Sequence, residues 1–287
     1  MADTNTHRIR TVPVAGGDLT VCEWNPEATR TVVAIHGVTS THVDWAYLGE
    51  SVPQDLRVIA PDLRGRGRSA GLAGPWGMAQ HARDVVSILD AFGIERGLLV
   101  GHSMGGFVAV LTAVEHRGRT SGLVLVDGGL PAVDANVDDD ALTRAVLAEA
   151  RERLEVVYPT VQAYVEAVGA TDPIAVRRAT YDLVPTAGGY RIAGDYAAIA
   201  ADAQHIAGDA SAEALAALDR PALLLRAPRG LPPREEGLYS EREVAGWAGK
   251  VASLTAVTVP DTDHGTIMSS PAGVAAIRTA IATIANA

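Results

Sequence analysis

The residues best placed for chemistry are in the run Gly101-His102-Ser103-Met104-Gly105, which fits Gly-x-Ser-x-Gly. An apolar stretch, Gly97-Leu98-Leu99-Val100, leads in, and a small-residue-rich segment over residues 106–114 leads out. That order predicts a strand, a sharp bend and a helix, with the Ser103 oxygen exposed at the bend. The flanking glycines remove side chains that would clash there. A serine hydroxyl is a weak nucleophile at neutral pH. It needs a base to take its proton and donors to stabilise the oxyanion formed on attack. Among eight histidines, His264 is the candidate base. It follows the β-rich run 254–259 and precedes a helix beginning near Pro271, so it lies on a loop at a strand's end. The second donor loop is read at residues 31–38, a buried strand ending in His36-Gly37. There the backbone N–H of Val38, with that of Met104, can face the oxyanion. His36 is assigned a loop-bracing role.

The elements needed to hold these groups can be read from the pattern. Residues 8–14 and 19–24 read as strands across a turn at residues 15–18. Residues 31–36, 57–61, 98–102 and 123–126 read as further strands, alternating with helices over 45–51 and 78–92. Such alternation implies a mostly parallel sheet covered on both faces. After Pro131 the chain becomes charged, alanine-rich and almost free of strand signals. Helices are expected at 138–157, 160–168 and 173–183. The sheet resumes at 221–226, followed by a helix at 241–247, a last strand at 254–259 and a last helix at 271–284. The organisation expected is a core from residues 1–131 and 219–287 carrying an inserted helical cap, residues 132–218. Five cap tyrosines, Tyr158, Tyr164, Tyr181, Tyr190 and Tyr196, are read mainly as packing. Asp138-Asp139-Asp140 reads as the acidic start of a helix rather than a metal site, because no His or Glu follows at ligand spacing.

Composition sets outer limits. A net charge of −10 argues against nucleic acid and anionic membranes as partners. The single cysteine, Cys22, excludes an internal disulfide and reads as a small buried residue. The N-terminal residues have no apolar leader region, and no stretch is long and apolar enough to span a bilayer, so a cytoplasmic location is expected. High alanine, with arginine far above lysine, suggests a GC-rich bacterial origin.

The chain resembles the α/β-hydrolase fold superfamily over nearly its whole length. His36-Gly37 matches the oxyanion loop, residues 60–69 (Ala-Pro-Asp-Leu-Arg-Gly-Arg-Gly-Arg-Ser) the loop after the next strand, and Gly101 to Gly106 the nucleophile elbow. Leu123-Val124-Leu125-Val126-Asp127 matches the following strand, and His264 the terminal base. The resemblance is greatest to the bacterial esterase, lactonase and cofactor-free haloperoxidase-like group with an inserted cap. It implies an eight-stranded sheet flanked by helices. In that family residues 62–69 form a structural loop near the site. They satisfy neither phosphate-binding glycine motif.

The third member of a triad is the point of departure from the pattern. Many relatives place an Asp just after the strand that follows the cap. Here residues 222–226 run on into Ala227-Pro228-Arg229-Gly230 with no carboxylate, and the first acids are Glu235 and Glu236. Some α/β-hydrolases take the acid from the position of Asp127, where Gly128-Gly129 leaves room for an imidazole. Asp127 is preferred, with Glu235 or Glu236 as the alternative and Asp261 and Asp263 behind them. A solvated glutamate on a loop would serve poorly as the buried acceptor that fixes an imidazole tautomer.

The expected activity is hydrolysis of small carboxylic esters or lactones through an acyl-enzyme, with no metal or organic cofactor. The same machinery also serves C–C bond hydrolysis and perhydrolysis, and a ligand-binding protein that keeps the pocket without the chemistry is the alternative from another class. A homodimer is compatible with this reading.

Overall fold

Ten strands and ten helices make up the computed structural model, which describes residues 7–131, 139–206, 209–230 and 235–287. The helices count only the α-helical segments among those residues. Eight strands form one sheet in the order β1-β2-β4-β3-β5-β6-β9-β10. They are β1 (His7–Val14), β2 (Gly17–Trp24), β3 (Arg30–Ile35), β4 (Leu56–Pro61), β5 (Gly97–His102), β6 (Thr120–Val126), β9 (Ala222–Arg226) and β10 (Leu254–Thr258). β1 and β2 pair antiparallel, as do β2 and β4, and every other pairing is parallel. The mostly parallel eight-stranded sheet agrees with the sequence reading, with strand ends shifted by one to three residues.

Central strands are apolar on both faces because helices cover both. Val33 and Ile35 of β3, Leu99 of β5, Leu123 and Leu125 of β6 and Leu224 of β9 point to one side. There they meet α2 (Met78–Ala91), α3 (Met104–Glu115) and α9 (Glu241–Lys250). The alternate residues Val32, Ala34, Val100, Val124, Val126 and Leu225 point to the other side. They meet α1 (Ala46–Gly49) and α10 (Pro271–Ala285). This is the period-two alternation of a strand applied to both faces of a buried sheet. Each such Leu, Ile or Val contributes about 1.5–3 kcal/mol by leaving water.

All of the remaining elements fall between β6 and β9, which are neighbours in the sheet. They are α4 (Asp139–Glu155), α5 (Val161–Ala167), α6 (Pro173–Tyr181), a hairpin of β7 (Leu183–Thr186) and β8 (Gly189–Ile192), α7 (Tyr196–Ile206) and α8 (Asp209–Ala216). α6 starts cleanly because Asp172 accepts from the N–H groups of Ile174 and Ala175, and Pro173 occupies the first turn. The hairpin corrects the expectation of an almost strand-free insertion. Gly188 and Gly189 both adopt positive φ, 86° and 151°, and turn the chain between two short strands. Their Gly-Gly signal is diluted by the alanine-rich context. α7 and α8 were also not anticipated. α8 lies against α3, and its Leu215 joins the core. The acidic start expected at residues 138–140 cannot be placed: Asp138 lies outside the described residues, as do the side chains of Asp139 and Asp140. Among the described residues no helix is long and apolar enough to cross a membrane.

Candidate active site

Ser103 occupies the bend between β5 and α3 with φ 52° and ψ −121°. For a residue other than glycine this conformation costs on the order of 1–3 kcal/mol, and surrounding structure must impose it. Part of that structure is Gly128. A Cβ at Gly128 would lie 2.1 Å from the Ser103 carbonyl oxygen, so only glycine lets the two backbones approach. The Ser103 N–H donates to the carbonyl of Val126 at 3.1 Å, fixing the bend to the end of β6. Ser103 precedes the first turn of α3, where a serine normally caps the helix. Its side chain makes no cap hydrogen bond, so the half-buried hydroxyl is not committed to the helix.

Asp127 follows β6 directly and is fully buried. Its Oδ1 accepts from the N–H of Ala227 at 2.9 Å, and its Oδ2 lies 2.8 Å from His264 Nδ1. A carboxylate can only accept, so Nδ1 carries the proton and Nε2 keeps its lone pair. This is the tautomer a general base requires. Glu235 and Glu236 are exposed and neither bonds to His264. Asp263 accepts from the N–H groups of Gly265 and Thr266, shaping the loop that carries His264. Asp261 sits at the turn with φ 60°, its carbonyl accepting from Arg229. Of the acids considered, Asp127 is the one brought to the imidazole.

The loop after β3 approaches Ser103 closely. A Cβ at Gly37 would stand 3.3 Å from Ser103 Cβ and 3.7 Å from its Oγ. Val38 follows, and both peptides around it are tied down. The N–H of Leu63 donates to His36 Nε2 at 2.9 Å, so the imidazole proton is on Nδ1, which donates to the Gly37 carbonyl at 2.7 Å. That carbonyl belongs to the same planar trans peptide as the Val38 N–H, and the two point in opposite directions. His36 therefore sets the direction of the Val38 N–H. Burial lowers its pKa to about 4, keeping the ring neutral. Arg66 Nε donates to the Val38 carbonyl at 2.9 Å, holding the next peptide. Met104 is the first residue of α3, where the N–H groups lack helical partners and carry the positive end of the dipole.

One contributor was not singled out from sequence. His102, between β5 and Ser103, donates from Nε2 to the His264 carbonyl at 2.9 Å. Its ring lies 4.7 Å from that of His264. Burial, then the neighbouring His264, lowers its pKa to about 3, so His102 is neutral. It holds the backbone that carries the candidate base. The available signal was an imidazole closing an otherwise apolar buried strand.

The fold and this arrangement define an α/β hydrolase. A family model for the α/β hydrolase fold matches residues 30–269, and the chain belongs to that family. Among solved structures, E-2-(acetamidomethylene)succinate hydrolase superposes with a TM-score of 0.82 at 22% identity, covering 98% of this chain and 100% of that one. Among curated proteins, lipase LipV of Mycobacterium tuberculosis is 37% identical over 116 residues, 40% of this chain and 42% of that protein. A putative carbamate hydrolase, RutD of a Caulobacter species, is 36% identical over 100 residues, 34% of this chain and 37% of that protein. The chain thus spans about two fifths of the length of the curated relatives it matches. These relatives are hydrolases of differing substrates.

Proposed function

We propose that the protein is a serine hydrolase of small carboxylic esters or lactones. The observation that carries this reading is the 2.8 Å contact between buried Asp127 and His264 Nδ1, together with a serine held in a strained bend whose hydroxyl makes no cap hydrogen bond to its helix. Ser103 Oγ attacks the acyl carbon while His264 Nε2 takes its proton. The oxyanion receives the N–H groups of Val38 and Met104. Asp127 remains ionised and stabilises the imidazolium. His264 returns the proton to the departing alcohol, and water, activated by the same nitrogen, cleaves the acyl-enzyme. Residues 132–218 serve as a cap over the core, setting substrate shape and limiting water. Support for that role comes from its polar attachments near the site: Arg178 to Asp44, Tyr181 to Asp62 and Asp182 to Thr41.

A fluorophosphonate probe is expected to label Ser103, and Ser103→Ala to lower p-nitrophenyl ester turnover by roughly a thousandfold or more. Labelling at another residue, or unchanged turnover in the variant, rejects the reading. Comparing esters, lactones and vinylogous diketones as substrates separates ester hydrolysis from C–C bond cleavage by the same residues.

A further inference from the structure

Arg64 and Arg66 are both buried, yet they are bonded differently. Arg64 grips Asp84 with two parallel bonds of 2.7 and 2.8 Å and donates to the carbonyls of Ala73 and Ala15. All of its partners belong to the core. Arg66 instead bridges two regions. Its Nε holds the Val38 carbonyl, and its Nη1 donates to the Arg64 carbonyl and to Asp202 Oδ2. Asp202 lies on α7 of the insertion and is itself fully buried. Two core groups fix its carboxylate: the N–H of Gly77 at 2.6 Å and His81 Nε2 at 2.8 Å. Arg66 Nη2 is buried without a partner.

A buried ion pair is a poor way to gain stability, and an unsatisfied guanidinium nitrogen makes it poorer still. What this arrangement does accomplish is mechanical. It joins the insertion to the peptide following the candidate oxyanion donor. His36 fixes one side of Val38 and Arg66 fixes the other. If Arg66 is released, the Val38 N–H can drift, and a donor to a developing oxyanion acts only over a narrow range of distance and angle.

We infer that Arg66 is a positioning residue through which Asp202 of the insertion sets the orientation of Val38, coupling insertion docking to oxyanion stabilisation. The inference rests on the serine-hydrolase reading. Because the oxyanion exists in the transition state and not in bound substrate, loss of Arg66 acts on kcat rather than KM.

The test is steady-state kinetics with p-nitrophenyl butyrate, together with inhibition by a trifluoromethyl ketone, whose tetrahedral adduct places an oxyanion on the same donors. Arg66→Met is expected to lower kcat about tenfold to a hundredfold with KM within about threefold. The inhibitor should weaken by the same factor as kcat/KM. Arg66→Lys, which keeps the charge but loses the planar fork, should recover only part of the loss. Asp202→Asn should lower kcat about threefold to tenfold. Tyr47→Phe, which removes an exposed insertion–core bond to Asp172 that does not involve Val38, should leave kcat within about twofold. The inference is overturned if folded Arg66→Met keeps its kcat, if its loss appears in KM, or if Tyr47→Phe loses as much. Should Arg66→Met fail to fold, Asp202→Asn decides, and an unchanged kcat in that variant overturns the coupling. Failure of the underlying reading is distinct: the wild-type protein would then show no fluorophosphonate labelling at Ser103.

Discussion

Of three buried histidine–aspartate pairs among the described residues, all at 2.8 Å, the two made through Nδ1 have different surroundings. His264 Nδ1 lies 2.8 Å from Asp127, and His42 Nδ1 lies 2.8 Å from Asp62. Both carboxylates are fully buried. Asp62 is saturated: besides the imidazole it accepts from the backbone N–H groups of His42 and Arg68 and from the Tyr181 hydroxyl. Burial alone would raise its pKa, but these bonds, led by His42, hold the carboxyl below its usual range. The His42 ring stands edge-on to Tyr181 at 4.5 Å and borders a cavity of about 290 Å3 with Trp24, Cys22 and Arg68. Burial raises the pKa of the Cys22 thiol there well above its ordinary value. Asp127, by contrast, has one backbone donor and one imidazole, and Gly128, the residue after it, packs against the backbone of the strained Ser103. On the serine-hydrolase reading, distance within the pair does not separate a reacting pair from a scaffolding one. What the rest of the carboxylate is bonded to, and what surrounds the imidazole, does.

The largest expected effect tests that distinction directly. Asp127→Asn should lower kcat by roughly a hundredfold to ten-thousandfold with the fold intact. Asp62→Asn should lower the melting temperature while kcat of the folded protein stays within about fivefold. Equal losses of turnover in the two folded variants would erase the contrast. A smaller effect concerns support of the imidazole from behind. His102→Phe, which removes the bond to the His264 carbonyl, should lower kcat about tenfold. Kinetics equal to wild type would restrict His102 to packing.

The last expected effect is on stability rather than rate and concerns the two rings that burial keeps neutral. His36 titrates near 4 and His102 near 3 in the folded chain, both below the ordinary 6.5, chiefly through burial. Between those values the unfolded chain binds protons that the folded chain refuses, so stability rises with pH there. It is fully present above about 6.5 and is lost as pH falls toward 4 and then 3. For His36 the loss is on the order of 3 kcal/mol. Melting temperatures at pH 7, 5.5 and 4.5 should show a steeper decline in wild type than in His36→Gln. Parallel curves would show that His36 is not held neutral by the fold.

Much of this was legible in sequence because the central strands are buried on both faces and read as unbroken apolar runs. The elbow and His36-Gly37 each close such a run, whereas His264 follows the edge strand β10, legible from its β-branched residues and its place before the last helix. Asp127 was legible as the favoured acid from the glycines after it. Other features depend on partners far along the chain. Asp202 is 136 residues from Arg66, and nothing local to either marks the pair. Residues 62–69 were read as a structural loop, and for Arg64 that reading describes all its bonds, whereas Arg66 also holds the insertion. The β7–β8 hairpin was missed because its strands are short and are buried mainly by the insertion's own small core, where Ile192 packs with Tyr164, Val165 and Ala179.

Asp127 also closes a seam. Its N–H donates to the carbonyl of Leu225 and its Oδ1 accepts from Ala227, so the point where the chain leaves the sheet is sewn to the point where it returns. On the proposed reading, a foreign segment spliced in between the two ends would inherit Asp127 and its imidazole partner, while having to supply its own substitute for Asp202. Chimeras between relatives should therefore preserve the reacting groups more readily than the rate.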